Sequence, residues 1–168
     1  SYTWSRQNQV AAMWPKDWPW PNIKRAVPHH PIQGIVSGAL RSDYQRTRID
    51  CMAERLGIHS FSPLWHMPPE EHMWNLIKAG FDVRFSAVAA EGLDESWLGK
   101  KLNEEVLEEL IHLNKKNGLN IDGEGGDFET SVLSAPWFNS IDWSIENEWN
   151  RQSGRIKIRH AKIRSVST

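Results

Sequence analysis

Three blocks of apolar residues at helical spacing, each closed by a glycine, dominate the chain from residue 34 to residue 118 and limit the folds open to it. Ile49, Met52, Ala53 and Leu56 fall at i, i+3, i+4 and i+7 and stop at Gly57. Met73, Trp74 and Ile77 stop at Gly80, and Val106, Leu107, Leu110, Ile111 and Leu113 stop at Asn117-Gly118. Such a repeat buries one face of a helix, and a glycine just past it accepts the left-handed turn that ends the helix. The blocks also begin as helices do. Ser42 with Gln45 forms a capping box, Pro68-Pro69 precede Glu70 and Glu71, and Asn103 precedes Glu104 and Glu105.

Extended stretches separate the helices. Ile35-Val36 reads as a fully buried strand and Ser60–Trp65 as a strand end or ordered loop. Phe81, Val83 and Phe85 alternate with Asp82, Arg84 and Ser86, and Leu119–Ile121 reads as a short strand. Strand–helix alternation of this kind predicts an α/β core. The tail differs: Ile141, Trp143 and Ile145, then Ile156 and Ile158, alternate with polar residues. This predicts an antiparallel hairpin turning around Gln152-Ser153-Gly154, with a loop longer than the tightest turns. Arg155, Lys157 and Arg159 fall on its other side, where a solvated sheet face is expected.

Residues 1–33 form an atypical leader. Trp-Pro-Lys-Asp-Trp-Pro-Trp-Pro spans Trp14–Pro21, and Pro28 and Pro31 follow. Proline fixes φ and removes a donor, so only Gln7–Trp14 suits a short helix and the rest reads as an extended arm. His29-His30 lacks further ligands at metal spacing, and no metal is expected. The lone Cys51 excludes an internal disulfide and, off the apolar stripe, reads as a packing residue. With 20 basic and 21 acidic residues, net charge gives no case for nucleic acid or membrane partners. There is no signal peptide and no apolar run of membrane-spanning length, so a soluble, cytoplasmic chain is expected; a homo-oligomer stays open. A first residue that is Ser1 and not Met is what a fragment or processed chain would show.

Two stretches concentrate chemistry. In Gly34–Arg48 a strand runs through Ser37-Gly38 into a helix start carrying Ser42, Tyr44 and Gln45, with Arg41, Arg46 and Arg48 around it. Free N–H groups at a helix start and guanidinium groups both bind carboxylate or phosphate. The three arginines cannot share one face, so at least one is expected to pair with a surface acid. The second stretch is Asp122-Gly123-Glu124-Gly125-Gly126-Asp127-Phe128-Glu129-Thr130. Its glycines allow sharp turns, and four crowded carboxylates need a cation or a hydrogen-bond network. The spacing matches neither an EF-hand loop nor a phosphate-binding loop. A cationic ligand fits better, with Phe128, Trp137 and Trp65 as candidate aromatic walls.

Gly34–Arg48, Leu56-Gly57, Pro63-Leu64-Trp65, Val88-Ala89-Ala90, Gly92-Leu93-Asp94, Leu98-Gly99 and Gly123–Thr130, in this order, resemble the diphthine–ammonia ligase family of PP-loop ATP pyrophosphatases, archaeal members included. The resemblance runs from Gly34 to the C-terminus. It implies the remnant of a Rossmann-like parallel sheet, with residues 34–58 as the last strand and helix of a nucleotide-binding domain. Residues 59–168 would be an α+β substrate-binding domain with an antiparallel hairpin tail. It also implies an ATP-dependent amidation, in which the carboxylate of diphthine on elongation factor 2 becomes an acyl-adenylate and ammonia displaces AMP. ATP with Mg2+ and ammonium would be the co-substrates and diphthine-bearing elongation factor 2 the partner.

By this resemblance Ser37, Gly38, Ser42, Tyr44, Gln45 and Arg48 would meet the carboxylate and nucleotide phosphate. Glu124, Asp127, Phe128 and Glu129 would surround the trimethylammonium group, and Gly123, Gly125, Gly126, Thr130 and Trp65 would complete the substrate- and nucleotide-binding residues. The catalytic residue is left unassigned. The chain departs from the family pattern in four ways, one being Glu91 in place of an apolar or small residue. These 168 residues contain no Ser-Gly-Gly-Lys-Asp-Ser loop, Asp127 stands in place of glutamate, and Ser134 stands in place of aspartate. Without that loop the chain is expected to be a poor ATPase by itself, and a non-catalytic module that binds a protein or modified residue is the alternative.

Overall fold

A computed structural model of the chain describes residues 32–138 and 140–164; the Gln7–Trp14 helix and His29-His30 lie outside them. The chain divides after His66 into two compact units.

In the first unit, strand β1 (Gly34–Val36), helix α1 (Asp43–Leu56) and strand β2 (His59–Phe61) follow in order. The strands pair in parallel, Gly34 with His59 through Val36 with Phe61. Ser42 caps α1 by accepting from the Gln45 N–H at 3.3 Å. Gly57, at φ 66°, closes it, and the Ile58 N–H reaches back to the Ala53 carbonyl at 3.0 Å. Met52 and Ala53 are the buried centre of the apolar stripe. The expected burial of β1 fails at its end. Val36 is 72 % exposed and Phe61 beside it 56 %, because among the described residues this sheet has two strands.

The second unit contains α2 (Pro69–Lys78), β3 (Asp82–Val88), a 3-10 turn (Glu95–Trp97), α3 (Glu104–Asn117), β4 (Phe128–Ser134), β5 (Ile141–Asn150) and β6 (Ser153–Ile163). The sheet order is β4-β3-β6-β5, with every neighbouring pair antiparallel. The described residues are therefore mixed α/β, and among them parallel pairing is confined to β1 and β2. Leu119–Ile121 is not a strand. Gly118 ends α3 at φ 75°, and the Asn114 side chain donates to the Leu119 carbonyl at 2.7 Å. This holds Leu119 and Ile121 as buried plugs at the helix end. The strand begins at Phe128 and returns antiparallel beside β3.

One face of this sheet carries the core. Phe85, Val88, Trp97, Leu107 and Leu110 are almost fully buried, joined by Met73 of α2 and Phe128 of β4. Phe85 is the hub, 5.1 Å from Trp97 edge-on and 5.0 Å from Phe128. Each such side chain stabilises the fold by roughly 1.5–3 kcal/mol. Antiparallel sheets commonly leave their second face to solvent. The hairpin turn is tighter than expected: Asn150 pairs with Ser153, so only Arg151 and Gln152 form the loop, with Arg151 at φ 53°. No helix among the described residues is long and apolar enough to cross a membrane.

Candidate functional site

The strand register of the second unit builds a trough on the uncovered face of the sheet. Glu129 of β4, Ala87 of β3, Arg155 of β6 and Glu148 of β5 stand side by side in one row. The adjoining row is Phe128, Val88, Gly154 and Trp149. Successive residues of a strand point to opposite faces. Phe128 and Val88 turn into the core at 4 % and 1 % exposure, so the charged row faces the other way, with Glu129 exposed. The Ala89 N–H donates to the Asp127 carbonyl at 2.9 Å and extends the pairing by one more step. A depression of about 510 Å³ results, lined by both rows together with Ala89, Gly126, Asn150 and Ser153.

Two local features set this geometry. The register slips between Phe85 and Ala87, a bulge that inserts one extra residue so that Phe85 and Val88 both face the core while Ala87 joins the charged row. Gly154 then lies directly against the Trp149 ring, where an added Cβ would collide with it.

The charges are arranged as a dipole across the trough. On the hairpin side, Arg155 Nε donates to Glu148 Oε2 at 2.9 Å, and Lys157 Nζ lies 3.6 Å from Glu148 Oε1. The hydrogen bond from Arg155 holds the Glu148 carboxyl below its ordinary range. One carboxylate thus faces two cations and that side is left net positive, while β4 offers the exposed Glu129. Two other basic residues of the hairpin pair across it, Arg159 with Glu146 at 2.6 Å from Nε and Arg164 with Asp142. This accounts for the rest of the basic row as a solvated face.

The acidic loop mostly organises itself. The Asp127 carboxylate accepts from the Asn120 N–H at 2.6 Å and from its side-chain amide at 2.9 Å. The Glu124 N–H donates to Asp122 Oδ1 at 3.4 Å. Gly123, Gly125 and Gly126 all take positive φ, and a Cβ on Gly123 would come 2.9 Å from the Phe128 carbonyl oxygen. Among the described residues no three acids, histidines or cysteines converge as a metal site. Of the residues predicted in this stretch, Gly126, Phe128 and Glu129 reach the trough. Gly123, Glu124, Gly125 and Asp127 form the turn that leads to it, and Thr130 continues β4 opposite Phe85. The Phe128 ring packs on Phe85, so it is a core residue and not an open aromatic wall. Trp137 is 74 % exposed and meets Phe81 edge-on at 5.2 Å, away from the trough lining.

The predicted residues of the first unit are placed as follows. Ser37 is buried, its hydroxyl 2.9 Å from that of Ser62, and Gly38 is exposed with open space around it. Ser42 and Gln45 occupy the helix cap with each other. Arg48 is buried with its guanidinium 4.7 Å from the ring centroid of the exposed Tyr44. Arg46 lies 4.6 Å from the Trp65 ring centroid and 3.5 Å from Asp50, the surface acid that the sequence required of one arginine. Trp65 in turn stacks on His66 at 4.7 Å. Cys51 is half-buried, and burial pushes its thiol up, as suits packing and not nucleophilic attack.

Sequence reasoning missed Ala87, Glu148, Asn150 and Ser153 as trough residues and took Arg155 for a solvated one. Strand alternation could have put Glu148 and Arg155 on one face. Which β3 and β4 residues stand beside them depends on a bulge and on long-range register, and neither has a local signature.

An antiparallel sheet covered by helices on one face and bearing a polar trough on the other defines an α+β domain. Residues 68–163 match the diphthamide synthase C-terminal domain, and the chain belongs to this family. It is similar to diphthine–ammonia ligase of Schizosaccharomyces pombe, 41% identical over 117 residues that cover 69% of this chain and 19% of that protein. It is 38% identical over 108 residues to diphthine–ammonia ligase of Homo sapiens, covering 64% of this chain and 40% of that protein. The Saccharomyces cerevisiae relative of the same name is 35% identical over 133 residues, again 19% of its length. The chain thus spans between about a fifth and two fifths of the curated relatives it matches.

Proposed function

We propose that this chain supplies the acceptor-recognition part of a diphthine–ammonia ligase, the enzyme that joins ammonia to the carboxylate of diphthine on elongation factor 2. The observation that carries the reading is the row Glu129, Ala87, Arg155, Glu148 in a domain of the diphthamide synthase family. A trough with an acid on one side and a net-positive pair on the other suits a side chain that bears both a cation and a carboxylate. Diphthine is such a side chain. The parallel β1–α1–β2 unit is read as the end of a Rossmann-like sheet.

ATP with Mg2+ would activate the carboxylate as an acyl-adenylate, and ammonia would then displace AMP. The described residues do not fit the nucleotide. They hold no glycine-lysine phosphate loop, and no cluster of three acids, histidines or cysteines that could hold a metal ion. No step of nucleotide chemistry is therefore placed on them. The same observation favours a second reading, a recognition module without ligase activity of its own.

Calorimetry of this 168-residue chain against elongation factor 2 in unmodified and diphthine-bearing forms, with and without ATP and Mg2+, tests both. The diphthine-bearing factor should bind at least about tenfold tighter, the worth of one charge-assisted contact. Equal binding of the two forms would overturn both readings. Selective factor binding without ATP binding would favour the recognition module.

A further inference from the structure

Strand β6 has an edge that the sheet does not use. β3 offers it only Ala87 and Val88, which pair with Arg155 and Gly154. Earlier along β3 the edge away from β4 is already taken. The Gly99 N–H donates to the Phe85 carbonyl at 2.8 Å, and the Leu102 N–H donates to the Val83 carbonyl at 2.9 Å. From Ile156 onward β6 therefore parts from β3, and β5 is its strand partner among the described residues. Every residue from Lys157 to Ile163 is exposed. This is a stretch of roughly 20 Å in which about half of the backbone N–H and C=O groups point away from β5, toward solvent.

The two faces of this stretch differ sharply. On one face Ile163 stands beside Ile141, Ala161 beside Trp143 and Ile158 beside Ile145. The register slip between Ser144 and Ile145 is what keeps Ile158 on the same face as Ala161 and Ile163. Nearer the turn, Ile156 and Trp149 of this face pack on the core, whereas Ile158 is 53 % and Ile163 65 % exposed. The opposite face of β6 carries Arg155, Lys157, Arg159, Lys162 and Arg164. β5 answers these five cations with three acids, Asp142, Glu146 and Glu148, and Glu148 is shared between Arg155 and Lys157. Positive charge is left over along the open edge. Charged edges also serve to repel stray strands. Such guards interrupt an apolar face, and none of these cations does so.

We propose that the open edge of β6 is a strand-addition site, taking from a partner protein an extended segment in which apolar residues alternate with aspartate or glutamate. β5 shows the pattern that β6 accepts on its other edge. Ile141, Trp143 and Ile145 continue the apolar face, and Asp142, Glu146 and Glu148 meet the cations. A second strand of this kind would cover Ile158 and Ile163 and neutralise the surplus charge together, while its backbone satisfies the open edge. β5 of a second copy has the right alternation, but its three acids are engaged by its own β6. The first 31 residues of the chain carry one acid, Asp17, among five prolines, and proline cannot donate to a strand ladder. A partner's segment is the occupant that fits.

Two capped peptides test this on the full chain, one alternating valine with glutamate and the other valine with lysine. Followed by amide NMR, the glutamate peptide should shift and protect backbone amides within Lys157–Ile163, and the lysine peptide should not. The double variant Arg159→Gln/Lys162→Gln should weaken the glutamate peptide about fivefold, the worth of two exposed charge contacts. Neither residue lines the trough, so this variant should keep any preference of the parent for diphthine-bearing factor. A parent-like amide spectrum outside the hairpin shows that it is folded. Four results would overturn the proposal. Equal binding of the two peptides removes the role of charge. Loss of protection along β5 means that the peptide replaces β5 and does not add to β6. Concentration-dependent dimerisation without peptide, protecting the same amides, makes a second copy the occupant. No shifts with either peptide make the basic row a guard against strand pairing and nothing more.

Discussion

The two glycine-bearing turns of this chain make opposite use of similar materials. In the first unit, Ser37-Gly38 leads from a strand into a helix through residues that need no unusual backbone, and Gly38 has open space where a side chain would stand. In the second, Gly123–Gly126 is wound at positive φ against the strand it feeds, with Gly123 in contact with Phe128. The first turn sits beside a two-stranded sheet with Val36 and Phe61 open to solvent. The second leads into β4, which packs on the hydrophobic core of the second unit. Turn composition alone does not separate them. What does is the number of strands and helices that close over the element next to each turn.

The largest effect expected from this contrast is in the cores. Phe85→Ala removes a fully buried ring that touches Trp97 and Phe128, and should cost the second unit roughly 3–5 kcal/mol. Phe61→Ala removes a ring that is more than half exposed and should cost the first unit well under 1 kcal/mol. Amide hydrogen exchange reads each unit separately. Comparable losses of protection in the two variants would show that the first unit's sheet is not the open structure described here.

How much of this was legible beforehand follows the same division. The three helices were fixed by local signals: capping residues, apolar spacing and closing glycines, each within reach of a single turn. Ser42 and Asn103 cap as read, and Gly57 and Gly118 close as read. Family membership was also legible, because it rests on short motifs in order. The strands were harder. Leu119–Ile121 has a strand's composition, but the Asn114 side chain and the left-handed Gly118 claim its backbone first. Phe128 looked like an exposed aromatic because it sits among acids, whereas alternation from Glu129 turns it inward. The trough itself was out of reach, since it depends on which residues of four strands stand abreast.

The next effect is in the turns. Gly123→Ala must place a Cβ 2.9 Å from the Phe128 carbonyl at a φ of 75°, so both sterics and backbone oppose it. A destabilisation of about 1–3 kcal/mol is expected, with loss of protection at the start of β4. Gly38→Ala meets nothing within contact distance and should stay within about 0.5 kcal/mol of the parent. A costly Gly38→Ala would mean that the first turn is as tightly enclosed as the second.

The smallest effect compares one ion pair from each unit. Arg46 and Asp50 lie 3.5 Å apart with side chains more than two fifths exposed. Arg84 grips Asp82 through two nitrogens, at 2.6 and 3.2 Å, on a strand where both are about three-quarters covered. The hydrogen bond from Arg84 holds the Asp82 carboxyl below its ordinary range, against the opposing pull of partial burial. A depressed carboxyl pKa binds fewer protons in the folded state than in the unfolded one, so it adds stability above the unfolded value, near pH 4, and loses it as pH falls through the folded value. Asp82→Asn should therefore lower stability at pH 7 by no more than about 1 kcal/mol and flatten the acid limb of the stability curve below about pH 4. Asp50→Asn should change stability less, because an exposed pair at that distance is largely screened. Chemical denaturation of the two variants at pH 7 and pH 3 decides it: the gap between parent and Asp82→Asn must narrow at the lower pH, and a gap that stays constant would mean that Arg84 holds Asp82 by geometry alone and not by its charge.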